Sequence, residues 1–151
     1  MKQVKTPWNP SKRAIKRVKN AMPAPSSCRY CGGDVSIVGH EKIYNGNKYG
    51  EWPWAYLCGG CGAYVGMHPF TAIPLGTLAD ADTRRARNLC KEPFERLHRS
   101  GLMSRKDAYR ALSGKLGIDV DECHFGWFDI DMCHRAAEAS NIMHLEITSN
   151  G

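Results

Sequence analysis

No apolar run in this sequence approaches the roughly 20 residues a membrane-spanning helix needs, so no membrane segment is expected. The first residues carry charge without the apolar stretch of a secretory leader, and an intracellular, cytoplasmic location is the expectation. Also missing are a phosphate-binding loop, a dinucleotide fingerprint and a nucleophile elbow, the sequence signatures of NTPases, nicotinamide oxidoreductases and α/β-hydrolases. At 151 residues the chain is too short for a barrel enzyme or a full doubly wound sheet. Apolar residues at 42% and charged residues at 24% are close to globular averages, which excludes wholesale disorder.

Acid is absent from the first 20 residues, which hold seven of the 21 Lys and Arg: Lys2, Lys5, Lys12, Arg13, Lys16, Arg17 and Lys19. The fourteen bases that remain are balanced by 15 acids, so the net charge of +6 belongs to an N-terminal arm on a neutral body. A short cationic segment attracts polyanions by releasing their counterions, with nucleic acid the commonest partner and an acidic protein surface the next. A solvated leader that keeps the body soluble is the alternative.

Seven cysteines, Cys28, Cys31, Cys58, Cys61, Cys90, Cys123 and Cys133, are many for an intracellular chain, where disulfides do not persist. Four of them form two C-x-x-C units, Cys28-Arg-Tyr-Cys31-Gly-Gly and Cys58-Gly-Gly-Cys61-Gly, with 26 residues between. Two intervening residues let both sulfurs of a unit point at one ion, and the following glycine relieves crowding where backbone amides turn toward thiolate. Two such knuckles supply four soft ligands, which fits tetrahedral zinc, although iron accepts the same sulfurs. A closed tetrathiolate leaves no position for water or substrate, so the zinc is expected to be structural.

Between the knuckles, Val35 to Val38 alternates and Trp52 to Leu57 is rich in strand-favouring residues, with Asn45-Gly46 as a turn signal between them. The expected fold is α+β: an N-terminal zinc ribbon of short antiparallel strands with a knuckle at each hairpin, then a small module of about three helices. The boundaries are 1–26 for the basic arm, partly helical or disordered, 27–70 for the ribbon and 71–151 for a helical module packed on it. Leu78, Ala81, Arg85, Leu89, Phe94 and Leu97 form a helical stripe that Pro93 is expected to kink or break. Ser104 and Gly117 bound a second helix with Ala108, Leu112 and Leu116 inward, and Asp129 caps a third running to about Ser140. Ile142 to Ile147 is expected to be a short strand. Arg84, Arg85, Arg87, Arg96 and Arg99 are expected to pair with nearby acids at helical spacings.

The motifs Cys28-x-x-Cys31-Gly-Gly, Tyr49-Gly-x-Trp52-Pro53-x-x-Tyr56-x-Cys58-x-x-Cys61-Gly-Ala-Tyr-Val-Gly66, His68-Pro69, Pro74-Leu75-Gly76-Thr77-Leu78-Ala79, Ser104-Arg105-x-x-Ala108-Tyr109 and Cys123-His124-x-Gly126-x-Phe128-Asp129-x-x-x-Cys133 resemble a zinc-finger-containing domain family of bacteriophages and bacteria. The resemblance covers about residues 27 to 135. It implies a phage or prophage accessory protein, in the host cytoplasm, with zinc at the two knuckles, and it implies no particular reaction.

Three functions follow as expectations. The leading one is nucleic-acid binding, to DNA or RNA, through Lys12, Arg13, Lys16, Arg17 and Lys19, with Tyr49 and Trp52 as exposed aromatic contacts. The alternative is a module that docks on or inhibits an acidic host protein. A metal-dependent nuclease, with His40, His68, Asp80, Asp82, His98, Cys123 and His124 as polar groups, ranks third, because His40 lacks the Asn and His that follow in nucleases of the HNH type. No catalytic residue is assigned. His68, Cys90, Cys123, His124 and Cys133 are candidates for a second metal or polar cluster, although adjacent residues such as Cys123 and His124 usually point apart.

Overall fold

The computed structural model describes residues 4–149. They divide into two compact units, Met1–Asp80 and Ala81–Gly151.

The first unit is built on a three-stranded antiparallel sheet, β1 (Val35–Gly39), β2 (Trp54–Cys58) and β3 (Tyr64–Gly66), in the order β1-β2-β3. Ile37, Tyr56 and Val65 align across the three strands, and Cys58 at the end of β2 lies opposite Val35. Alternation puts Val35, Ile37, Trp54, Tyr56, Cys58 and Val65 on one face, where they form a small core with Trp52, Met67 and Leu78. Asn45 and Gly46 do adopt positive φ, 52° and 87°, but they turn the chain within a longer connection that begins with a 3₁₀ turn at His40–Lys42.

The segment after β3 hangs on the polar tips of the core aromatics. The Trp52 Nε1–H donates to the Thr71 carbonyl at 2.9 Å, and the Tyr56 hydroxyl donates to the Ala72 carbonyl. Thr71 is fully buried, and its hydroxyl donates to the His68 carbonyl at 2.9 Å while accepting the Ile73 N–H at 3.0 Å. A buried indole or phenol needs such a partner, and a buried loop needs its amides satisfied.

The described part of the N-terminal arm packs within this unit. Thr6 and Asn9 exchange two backbone hydrogen bonds of 2.9 and 3.3 Å around Pro7, which is buried. At the tip of that turn Trp8 is 65% exposed, with its ring edge-on to Trp54 at 5.4 Å and 84°. The Ser11 N–H then donates to the Phe70 carbonyl at 2.9 Å, and the Ser11 hydroxyl caps α1 (Lys12–Arg17) by accepting the Ala14 N–H. Phe70 holds φ at +63° with its ring 5.1 Å from that of Trp52, a costly backbone conformation kept by these contacts.

The second unit contains α2 (Ala81–Arg99), α3 (Arg105–Leu116) and α4 (Ile130–Ser149). Its core joins Cys90, Phe94 and Leu97 of α2, Ala108, Leu112 and Leu116 of α3, and Cys133, Ala136 and Met143 of α4 with Phe125 and Phe128. Ser104 caps α3 through the Asp107 N–H at 3.1 Å, Gly117 ends it at φ 71°, and Asp129 caps α4 through the Met132 N–H at 2.8 Å.

Three expectations are corrected. Pro93 does not break α2, which runs on from Ala81 to Arg99 although proline has no N–H to give the Leu89 carbonyl. The buried stripe is accordingly Thr83, Arg87, Cys90, Phe94 and Leu97, with Leu89 outside it. Residues 142–147 are not a strand, because Ala136, Ala139, Ser140 and Met143 continue the buried helical face of α4 beyond Ser140. Among the arginines, Arg85 pairs with Asp82 at 3.4 Å, and Glu92 receives Arg96 at 3.7 Å and Arg99 at 3.0 Å. Arg87 differs: it is buried, and its Nε–H donates to the Phe128 carbonyl at 2.9 Å. Among the described residues no helix is long and apolar enough to cross a membrane.

Candidate metal centre

The two knuckles are built alike. In the first, the Cys28 N–H donates to the Gly33 carbonyl and the Gly32 N–H to the Cys28 carbonyl, both at 2.8 Å. In the second, the Cys58 N–H donates to the Ala63 carbonyl at 2.8 Å and the Gly62 N–H to the Cys58 carbonyl at 3.1 Å. Gly32 and Gly62 occupy the same place in the two turns and share positive φ, 76° and 83°, which is why glycine follows each second cysteine. The bridge Ser27↔Asp34 closes the first knuckle, and the β2–β3 hairpin closes the second.

This backbone aims amides at sulfur. Cys28 receives the N–H of Tyr30 at 3.4 Å and that of Cys31. Cys58 receives those of Gly60 at 3.3 Å and Cys61 at 3.5 Å. The outer sulfurs take one donor each, Gly33 to Cys31 at 3.4 Å and Ala63 to Cys61. All four sulfurs lie within 4.8 Å of one another, with Cys28–Cys61 at 3.6 Å and Cys31–Cys58 at 3.5 Å. A tetrahedron with Zn–S bonds of about 2.3 Å has sulfurs about 3.8 Å apart, so these residues can hold a zinc ion.

The protonation of the four thiols supports the fit. Hydrogen bonds from the backbone of Cys61 and Gly60 pull the Cys58 thiol down to about 6, against the cost of its desolvation. In Cys28 burial opposes ionisation, but the amides of Cys31 and Tyr30 prevail and the thiol is lowered. Cys61 receives the Ala63 amide, yet the thiols of Cys28, Cys31 and Cys58 beside it push it up to about 12. Cys31 receives the Gly33 amide and is nonetheless raised, chiefly by Cys58. Four anions this close repel one another until a dication joins them. Four thiolates would complete the coordination of a zinc ion held here, so the ion would serve as a cross-link between the two knuckles. Space around it is limited: a Cβ on Gly33 would lie 3.2 Å from the Cys58 sulfur, and one on Gly60 3.2 Å from that of Cys31.

Among the described residues no other group brings three or more ligand atoms together. Of the candidates for a second cluster, Cys90, Cys123 and Cys133 are buried in the apolar core of the helical unit. The Cys90 thiol donates to the Arg87 carbonyl at 3.3 Å, and Cys90 with Cys133 makes only a pair. His124 stacks on Trp127 at 4.3 Å, and its buried Nε2 has no hydrogen-bond partner. The nuclease candidates likewise do not assemble, and the Nδ1 of His40 is taken by the Tyr49 N–H at 3.1 Å.

Lys12, Arg13, Lys16, Arg17 and Lys19 are all exposed, as is Tyr49 at 56%. Trp52 is not the exposed contact it was expected to be: it is 9% exposed, because its indole fills the ribbon core and bonds Thr71. The sequence reading missed the anchoring role of Thr71; the signal was two aromatics with polar tips, Trp52 and Tyr56, in a small core without another polar partner.

Comparison with known proteins found no match among curated proteins and none among solved structures. A family pattern does match, over residues 24–143, and it takes in both knuckles and most of the helical unit. Because that match spans well over half of its length, the chain belongs to the zinc-finger-containing domain family.

Proposed function

We propose that the protein is a nucleic-acid-binding module in which a structural zinc ribbon carries a basic N-terminal helix. The observation that carries this reading is the placement of Lys12, Arg13, Lys16, Arg17 and Lys19. All five are exposed on or just after α1, and Ser11 ties the start of that helix to the ribbon at Phe70. Cations fixed to a folded body meet phosphates at less entropic cost than cations on a free tail. Binding to labelled DNA and RNA measured across a salt series tests this. The logarithm of affinity should fall linearly with that of salt, and each alanine at Lys12, Lys16 or Arg17 should reduce the slope by about 0.9 on duplex. Absence of binding at low salt, or a slope these substitutions leave unchanged, would refute the reading.

A second reading, docking on a protein, is favoured by the apolar side chains that the helical unit leaves in solvent, Leu89, Ile142 and Leu145. One stoichiometric partner retained after nuclease treatment and lost on Leu145→Asp supports it.

A further inference from the structure

We infer that Trp8 and the cations around it form a site for single-stranded nucleic acid, with the indole as the platform for an unpaired base. This inference rests on the nucleic-acid reading above and specifies its substrate class.

The turn that bears Trp8 is rigid. Pro7 fixes φ at the second position and is buried, Thr6 and Asn9 close the turn with two backbone hydrogen bonds, and Pro10 stiffens the exit. A ring as large as indole is expected to turn inward from such a place, yet Trp8 stays 65% exposed. The ring is not loose, because Trp54 meets it at 5.4 Å with the planes 84° apart. An edge-on contact fixes a ring while occupying at most one of its faces, so Trp8 retains a face for stacking. The ring is thereby oriented before a ligand arrives.

Along the chain the charges flanking Trp8 are all positive, while across the sheet the Glu41 carboxylate sits over Gly39, the register partner of Trp54. Lys5 precedes the turn, Lys12 and Arg13 follow within five residues, and Lys16, Arg17 and Lys19 come next; all are exposed. The first acid in the chain is Asp34. The four residues from Trp8 to Lys12 span at most about 14 Å, which keeps ring and cations within a few nucleotides of each other. A stacking ring beside a cationic track is the arrangement that holds single strands, whereas a duplex presents phosphates but keeps its base faces stacked inside. A membrane surface, the other polyanion that uses tryptophan with lysine, needs a longer apolar helical face. Here α1 is six residues long and Ile15 is its one large apolar side chain.

The test uses the full zinc-loaded chain, a labelled oligo(dT) and a blunt duplex. Trp8→Ala should weaken oligo(dT) binding roughly 5- to 150-fold, change duplex binding by no more than about twofold, and leave the salt slope intact, while Trp8→Phe keeps most of the affinity. Oligo(dT) should also quench the tryptophan emission of the unsubstituted protein, and Trp8→Phe should remove that quench, a readout independent of how well the alanine variant folds. An unchanged oligo(dT) affinity in Trp8→Ala, or a quench that persists in Trp8→Phe, overturns the site while salt-dependent binding keeps the broader reading intact. Loss of both readings would be marked by no binding to either nucleic acid at low salt. Emission shifted by phosphatidylserine–phosphatidylcholine vesicles and not by oligo(dT) overturns the site in favour of a membrane.

Discussion

At the residue scale, the metal centre depends on which sulfurs hold protons. Cys31 and Cys61 are raised by their thiol neighbours, while Cys58 is held at about 6 by the amides of Cys61 and Gly60. Near neutral pH, zinc must therefore displace at least the protons of Cys31 and Cys61, and calorimetry in buffers of different ionisation enthalpy should count two or more released per ion. Fewer than two would mean that the neighbouring thiols do not keep Cys31 and Cys61 protonated as described. The sign for the metal-free fold follows from the same values. The lowered Cys58 favours folding above its ordinary thiol range and loses that contribution as pH falls through about 6, whereas the raised Cys61 opposes folding as pH climbs from that range toward 12. Zinc affinity should accordingly drop steeply below pH 6, where the last favoured thiolate is protonated as well.

Among the elements, α2 offers the sharpest test. Proline at position 93 cannot donate a helical hydrogen bond to the Leu89 carbonyl, yet the helix continues past it to Arg99. Pro93→Ala should restore the bond and raise the stability of the helical unit by about 1 to 2 kcal/mol, seen as a later urea midpoint of the helical signal. An earlier midpoint would show that the ring packs usefully. The same helix shows what a sequence can disclose. Caps at Ser104, Gly117 and Asp129 were legible because a local side chain or a positive φ settles them. The knuckles were legible for the same reason, since two residues between cysteines fix their geometry. The course of α2 through Pro93, its inward face and the extent of α4 were not, because each is decided by what packs against the helix. Arg87 illustrates the limit: helical spacing pointed to nearby acids, and no local signal disclosed that it is buried and donates to a carbonyl 41 positions away.

For the whole molecule, the two units draw on different sources of stability. The ribbon has a core of few residues around a three-stranded sheet, and an ion at its four cysteines, worth about 10 to 16 kcal/mol in comparable small sites, would supply most of what holds it. The helical unit has its own apolar core, and its described residues bring no three metal-ligand atoms together. A strong chelator should therefore expose Trp52 and Trp54 to water, shifting emission to the red, while the far-ultraviolet helical signal of residues 81–149 persists. Simultaneous loss of both signals would show that the units fold as one. That division was partly readable from the separate positions of the cysteine knuckles and the helical stripes. The ordering of the arm was not, since Trp8, Ser11 and Phe70 meet only in three dimensions.

The unequal exposure of the four sulfurs gives the centre a front and a back. Cys28 and Cys58 face the interior with two amide donors each, and Cys31 and Cys61 stand at the rim with one. A competing chelator or an electrophile arrives from solvent and so meets the rim pair first. Were the rim pair to let go first, an ion would still be held by the two buried sulfurs, Cys28 in the first knuckle and Cys58 at the end of β2.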